Sequence, residues 1–250
     1  MDLGIEGRTA LVMGASRGLG LAIAASLARE GARVAMASRS RERVAEAAAG
    51  LDGETAAFEA DTAHLERLVS LPAEVADELG PVDILVTNTG GPPLGAALDH
   101  SHEEWTDAYR SLVLAPRVLS EAVLPGMRER RWGRIVNVGS SSTREPIPHL
   151  TLSNANRMAA IGFFKTLASE VAGDGITVNT VATGRFATDR LAENWGSWEE
   201  MEKHAAEGVP AGRLGRPAEY GDLVAFLSSD LAGYVTGTVI PIDGGLTRST

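Results

Sequence analysis

Gly14-Ala15-Ser16-Arg17-Gly18-Leu19-Gly20 follows an apolar run, Thr9–Met13, and opens an apolar helical stretch over 19–30. Alone, a G-x-x-x-G-x-G spacing is weak. Between a strand and a helix it specifies a dinucleotide-binding turn. Glycines let the backbone approach a pyrophosphate, and the positive end of the following helix favours its charge. Gly14, Ser16, Arg17, Gly18, Leu19 and Gly20 are therefore candidate cofactor-binding residues.

The same alternation continues along the chain. Strands are expected at 9–13, 33–37, 56–59, 84–87, 134–138, 177–181 and 239–242, and helices at 19–30, 41–49, 65–79, 103–130, 152–172 and 217–228. Strands that alternate with longer helical patterns indicate a parallel sheet covered by helices. The expectation is α/β: a single-domain Rossmann fold spanning 1–250, its doubly wound, seven-stranded parallel sheet carrying helices on both faces. Gly31 and Gly80 sit where helices should end. Ser101 and Glu104 have capping-box spacing, so the cluster Asp99-His100-Ser101-His102-Glu103-Glu104 reads as a helix start and no metal is predicted. The segment 187–210, with Trp195 and Trp198, breaks the regular pattern.

Composition narrows the class. The 250 residues carry a net charge of −10, which argues against nucleic acid as a partner. Without cysteine there are no disulfides, thiol nucleophiles or cysteine-bound metals. Residues 1–8 lack the apolar core of a signal peptide, and no apolar run approaches the ~18 residues that span a bilayer. The expectation is a cytoplasmic protein without a membrane partner.

With the glycine turn, Asn88-Thr89-Gly90, Ser140 and Asp243-Gly244-Gly245, the chain resembles the short-chain dehydrogenase/reductase family over nearly its whole length, and within it 3-oxoacyl-carrier-protein reductase-like members. The resemblance implies an oxidoreductase acting on a carbonyl/alcohol substrate. Arg39, just after the second strand where an NAD-selective site usually carries an acid, and Arg17 of the glycine turn, nearby in the fold, suit the 2′-phosphate of NADP(H), because guanidinium pairs bidentately with phosphate. Asp61, followed by Thr62, matches the adenine side, although a helix start there would also suit it. Asn88 and Gly90 match the ribose side. Gly184 and Thr188 match the nicotinamide side, and 187–210 matches a substrate lid.

At the catalytic positions the chain departs from the family. A Tyr-x-x-x-Lys pair does the family's proton chemistry; here Ser153 and Arg157 stand at those positions, thirteen and seventeen residues after Ser140. Leu112 stands where an asparagine anchors a water relay. Serine is far less acidic than tyrosine, and guanidinium keeps its proton at working pH. Arg157 still suits a developing oxyanion. The candidate catalytic set is Ser140, Ser153 and Arg157. Tyr109, Tyr220 and Tyr234 match no catalytic position, and His149, Glu145 and Lys165 read as surface residues. Two alternatives stay open: a catalytically silent cofactor-binding subunit, and non-redox chemistry such as that of the halohydrin dehalogenases. Ala155, Ala159 and Gly162 either seat their helix on the sheet or permit the helix pairing by which family members reach a homotetramer.

Overall fold

The computed structural model describes residues 1–204 and 206–249, with the Asn194 and Trp195 side chains outside that description. Strands β1 (Thr9–Met13), β2 (Arg33–Ser38), β3 (Thr55–Glu59), β4 (Val82–Thr87), β5 (Gly133–Val138), β6 (Ile176–Thr183) and β7 (Val239–Ile242) form one sheet. Every pairing is parallel, in the order β3-β2-β1-β4-β5-β6-β7. The helices are α1 (Gly18–Arg29), α2 (Arg41–Ala49), α3 (Leu65–Leu79), α4 (His102–Tyr109), α5 (Ala115–Arg130), α6 (Thr151–Val171), α7 (Asp189–Trp195), α8 (Trp198–His204) and α9 (Pro217–Leu227).

Side chains alternate across a strand, so each strand feeds two cores. Leu11 and Met13 of β1 join Leu68 of α3, Leu119 of α5 and Phe164 of α6 on one face. Ala10 and Val12 join Ile23 of α1, Val44 of α2 and Val224 of α9 on the other. Burial on both faces explains why the strands read as continuous apolar runs. A polar thread crosses the sheet: the Thr87 hydroxyl donates to Asn137 Oδ1 (3.0 Å), and Asn137 Nδ2 donates to the Thr180 hydroxyl (3.4 Å). Buried polar groups are tolerated when so paired.

The helix expected over 103–130 is divided. α4 ends at Tyr109, Arg110–Leu114 forms a π-helical turn, and α5 continues. Pro116 has no N–H for the Leu112 carbonyl, and its ring crowds that carbonyl, which favours a widened turn. The capping box forms as read, with Ser101 Oγ accepting from Glu104 N (3.2 Å) and Glu104 Oε2 from Ser101 N (2.8 Å). Among the described residues no cluster suited to a metal occurs, and no helix is long and apolar enough to cross a membrane. Ala155, Ala159 and Gly162 are exposed on α6 and so do not seat it on its own sheet.

α1 and α9 pack closely because Gly221 has no side chain; a Cβ there would collide with the Ala22 carbonyl and stand 2.5 Å from Ser26 Oγ. Gly221→Ala is expected to destabilise the fold by about 1–3 kcal/mol through overpacking, measured as a lower urea midpoint with an unchanged m-value.

Candidate active site

Strand order reverses between β1 and β4, which opens a crevice at the carboxyl ends of the sheet. The glycine turn lies there. Gly14 (φ +61°) and Gly18 (φ +58°) occupy backbone geometry that a side chain would strain. A Cβ on Gly20 would collide with the Gly14 carbonyl, so only glycine lets α1 start this close to β1. Asn88, just past β4, donates from Nδ2 to that same carbonyl (3.4 Å). At the start of α1, Arg17 supplies no side-chain cap and the first turn holds no acid, so its N–H groups have no side-chain acceptor. The turn fits an anionic group such as a pyrophosphate. Ser16 and Leu19 are partly exposed beside it, and the Thr188 side chain sits over Gly18, its Cγ2 3.7 Å from where a Cβ would be.

The candidate phosphate arginines are differently placed. Arg17 reaches α7, donating to Glu193 Oε1 at 3.1 Å with Asp189 at 3.9 Å. Arg39 is exposed and makes no ion pair among the described residues. Arg41 and Arg43, which sequence reasoning passed over, lie in the first turn of α2, where the helix dipole disfavours cations. Their position was the signal: an anion there would reverse the penalty. Asp61 Oδ1 accepts from Ala63 N (3.0 Å) in a turn before α3, whose N-cap is His64, so Asp61 does not cap that helix itself. The Thr62 hydroxyl bonds Ser111 Oγ (3.0 Å), and Ser111 also reaches the Thr89 carbonyl (3.5 Å). Ser111 lies in the π turn, so only the fold shows that it joins two loops of the crevice.

Three backbone segments converge on Arg157. Nε donates to Ser153 Oγ (3.2 Å), Nη1 to the Val138 carbonyl (2.7 Å) and Nη2 to the Gly90 carbonyl (2.6 Å). The guanidinium thus ties α6 to the ends of β4 and β5, two residues from Ser140. Ser140 Oγ accepts from Ser142 N (3.1 Å), leaving its hydrogen available to a ligand. Desolvation, opposed by Tyr220 and reinforced by Arg190, lowers the Arg157 pKa to about 10. Arg157 remains charged at neutral pH. Leu112 is buried, 4% exposed, in the π turn. Gly184 packs against Asp243, whose Cα and Cβ would both lie 2.5 Å from an added Cβ. Thr188 also caps α7, accepting from Leu191 N (3.4 Å).

The remaining candidates are accounted for structurally. Tyr220 is fully buried, edge-on to Phe186, bonded to the Thr183 hydroxyl (2.9 Å), and held well above the ordinary phenol pKa by desolvation. Tyr109 is half exposed, and Tyr234 is wholly exposed, unpacked against the fold. Glu145 accepts from the backbone N–H groups of Arg248 and Ser249, and Lys165 donates to the Gly237 carbonyl (2.7 Å). Trp198 lines a groove of about 320 Å³ with α1 and Pro217, and none of Ser140, Ser153 and Arg157 lines it. The Trp195 side chain lies outside the described residues.

A family model described as enoyl-(acyl carrier protein) reductase matches residues 14–247. The 3-oxoacyl-[acyl-carrier-protein] reductase of Vibrio cholerae is 39% identical over 98% of this chain and 99% of its own length. Human dehydrogenase/reductase SDR family member 4 is 34% identical over 96% of this chain and 88% of its own. The chain belongs to the short-chain dehydrogenase/reductase family. The structure of a member from Gluconobacter frateurii, L-sorbose reductase complexed with NADPH and L-sorbose, superposes with a TM-score of 0.94 over all of both chains at 31% identity. In this short-chain dehydrogenase/reductase fold, the buried Leu112 sits in the turn that faces the site from α4 and α5. Leu112→Asn is expected to destabilise the protein by about 1–3 kcal/mol, since an amide without a built partner is costly to bury; thermal melting of the purified variant checks this.

Proposed function

We propose that the chain is an NADP(H)-dependent short-chain oxidoreductase acting on a carbonyl/alcohol substrate, with Ser153 and Arg157 in place of the family's tyrosine and lysine. The carrying observation is the Arg157 Nε–Ser153 Oγ bond. Because Ser153 accepts from a cation, its own hydrogen is directed elsewhere, to a substrate oxygen. Ser140, its oxygen likewise occupied by Ser142 N, donates a second hydrogen bond. Two hydroxyls backed by a desolvated guanidinium stabilise negative charge that develops on that oxygen. NADP(H) supplies the hydride when bound. Neither Ser153 nor Arg157 gives up a proton readily at neutral pH, so the proton that completes reduction comes from solvent.

For the cofactor, Gly14, Ser16, Gly18, Leu19 and Gly20 hold the pyrophosphate against the start of α1. Arg17 and Arg39 take the 2′-phosphate, with Arg41 and Arg43 adding positive potential. Asp61 and Thr62 border the adenine, Asn88 and Gly90 the ribose, and Gly184 and Thr188 the nicotinamide. The sorbose reductase, alike over its whole length, was solved with NADPH, which supports this choice. The whole chain then acts as one dinucleotide-binding domain, with 187–210 as its lid. Ala155, Ala159 and Gly162, exposed beside the half-exposed Met158, give α6 a face on which a second copy can pack towards a homotetramer.

Calorimetric titration is expected to show NADPH binding more tightly than NADH. Arg39→Ala should weaken NADPH by about 10-fold or more and leave NADH unchanged. Equal affinity for both nucleotides overturns the 2′-phosphate assignment. With deuterium-labelled NADPH and a carbonyl panel, Ser153→Ala should slow transfer about 10²–10³-fold at unchanged NADPH affinity. Binding without transfer to any carbonyl would instead identify a silent subunit.

A further inference from the structure

Two cations meet at one short loop. Arg157 Nη2 donates to the Gly90 carbonyl (2.6 Å), while Arg190, from the first turn of α7, donates through Nη2 to the carbonyls of Gly91 (3.1 Å) and Pro92 (3.2 Å). The two guanidiniums are near enough that Arg190 helps to lower the Arg157 pKa. Among the described residues neither forms an ion pair with a carboxylate. The acids nearest Arg190 in sequence, Asp189 and Glu193, turn to Arg17. A chain of net charge −10 has thus placed two positive charges at the crevice and faced them with neutral carbonyls and one hydroxyl.

That arrangement lacks its counter-charge. Carbonyls orient a guanidinium but do not neutralise it, and like charges brought together repel. Arg190 lies against bare backbone at Gly91, where a Cβ would come within 2.8 Å of Nη2. Its Nε and Nη1 make no hydrogen bond among the described residues, leaving a free edge of the planar fork that suits a carboxylate or phosphate bidentately. The dinucleotide phosphates have other partners in the proposed site, namely the start of α1 and Arg17 with Arg39. Resting on that oxidoreductase reading, we infer that the substrate carries an anionic group, a carboxylate in its simplest form, which Arg190 holds while Arg157 and Ser153 address the reacting oxygen. Arg190 is then the residue that selects oxo-acids over neutral carbonyl compounds.

The test uses the intact chain saturated with NADP⁺ and four probe pairs: pyruvate, acetoacetate, levulinate and phenylpyruvate, each against its methyl ester. Affinity is read by protein-detected NMR titration, so turnover is not required. At least one acid is expected to bind about tenfold or more tightly than its ester, a difference that Arg190→Gln abolishes and Arg190→Lys partly keeps. NADPH affinity in Arg190→Gln should stay within about twofold of the parent. Esters that bind as well as the acids overturn the inference, as does an acid preference that survives Arg190→Gln. A loss of NADPH affinity in that variant also overturns it, by assigning Arg190 to the cofactor. Failure of the unsubstituted chain to bind NADPH is distinct: it removes the oxidoreductase reading on which the inference rests.

Discussion

The approach of α1 to the end of β1 is the constraint on which the site depends. Gly20 packs directly against the Gly14 carbonyl, and Asn88 reaches that carbonyl from the next strand over. A methyl group at position 20 would push the helix away, and its unpaired N–H groups would no longer face the crevice. This contact also joins β1 to β4 where the sheet changes winding direction, so one close approach fixes both the glycine turn and the crevice beside it.

A second organising contact is the Arg157 fork. A flexible ammonium offers donors around a point, whereas a guanidinium spreads its donors in a plane. Here that plane reaches Ser153, Val138 and Gly90 together, so α6, β5 and the loop after β4 are tied through one side chain. Leu112 is buried in the π turn and brings no polar group of its own to the site. Arg157 thus reaches two backbone carbonyls directly, with the Ser153 hydroxyl as its side-chain acceptor among the described residues.

α7 bridges the crevice. On one side Glu193 and Asp189 hold Arg17 of the glycine turn; on the other Arg190 holds the loop at Gly91 and Pro92. The charged groups are all exposed, so each contact is weak and exchangeable in water. A 2′-phosphate competing for Arg17 and an anionic substrate competing for Arg190 would each trade one such contact for another.

Much of the fold was legible in residue order. Strand positions follow from continuous apolar runs, and β1, read as Thr9–Met13, ends where expected because the glycine turn begins there. The capping box at Ser101 and the positive-φ glycines at 31 and 80 carry local signals that tertiary packing does not override. The division of the 103–130 helix was hidden, since the π turn is only five residues long and Pro116 alone does not announce it. Ser111 and Arg190 were invisible as site residues, because their meaning lies in what they reach across the crevice. The sequence by itself determined the alternation of strands and helices, the glycine turn between β1 and α1, and the chemical character of residues 153 and 157, all of which are properties of neighbours along the chain. Only the tertiary structure decided that Arg157 points its fork at two strand ends and that Arg190 meets it at one loop, because those partners lie 19, 67 and about 100 residues away and are brought together by the winding of the sheet.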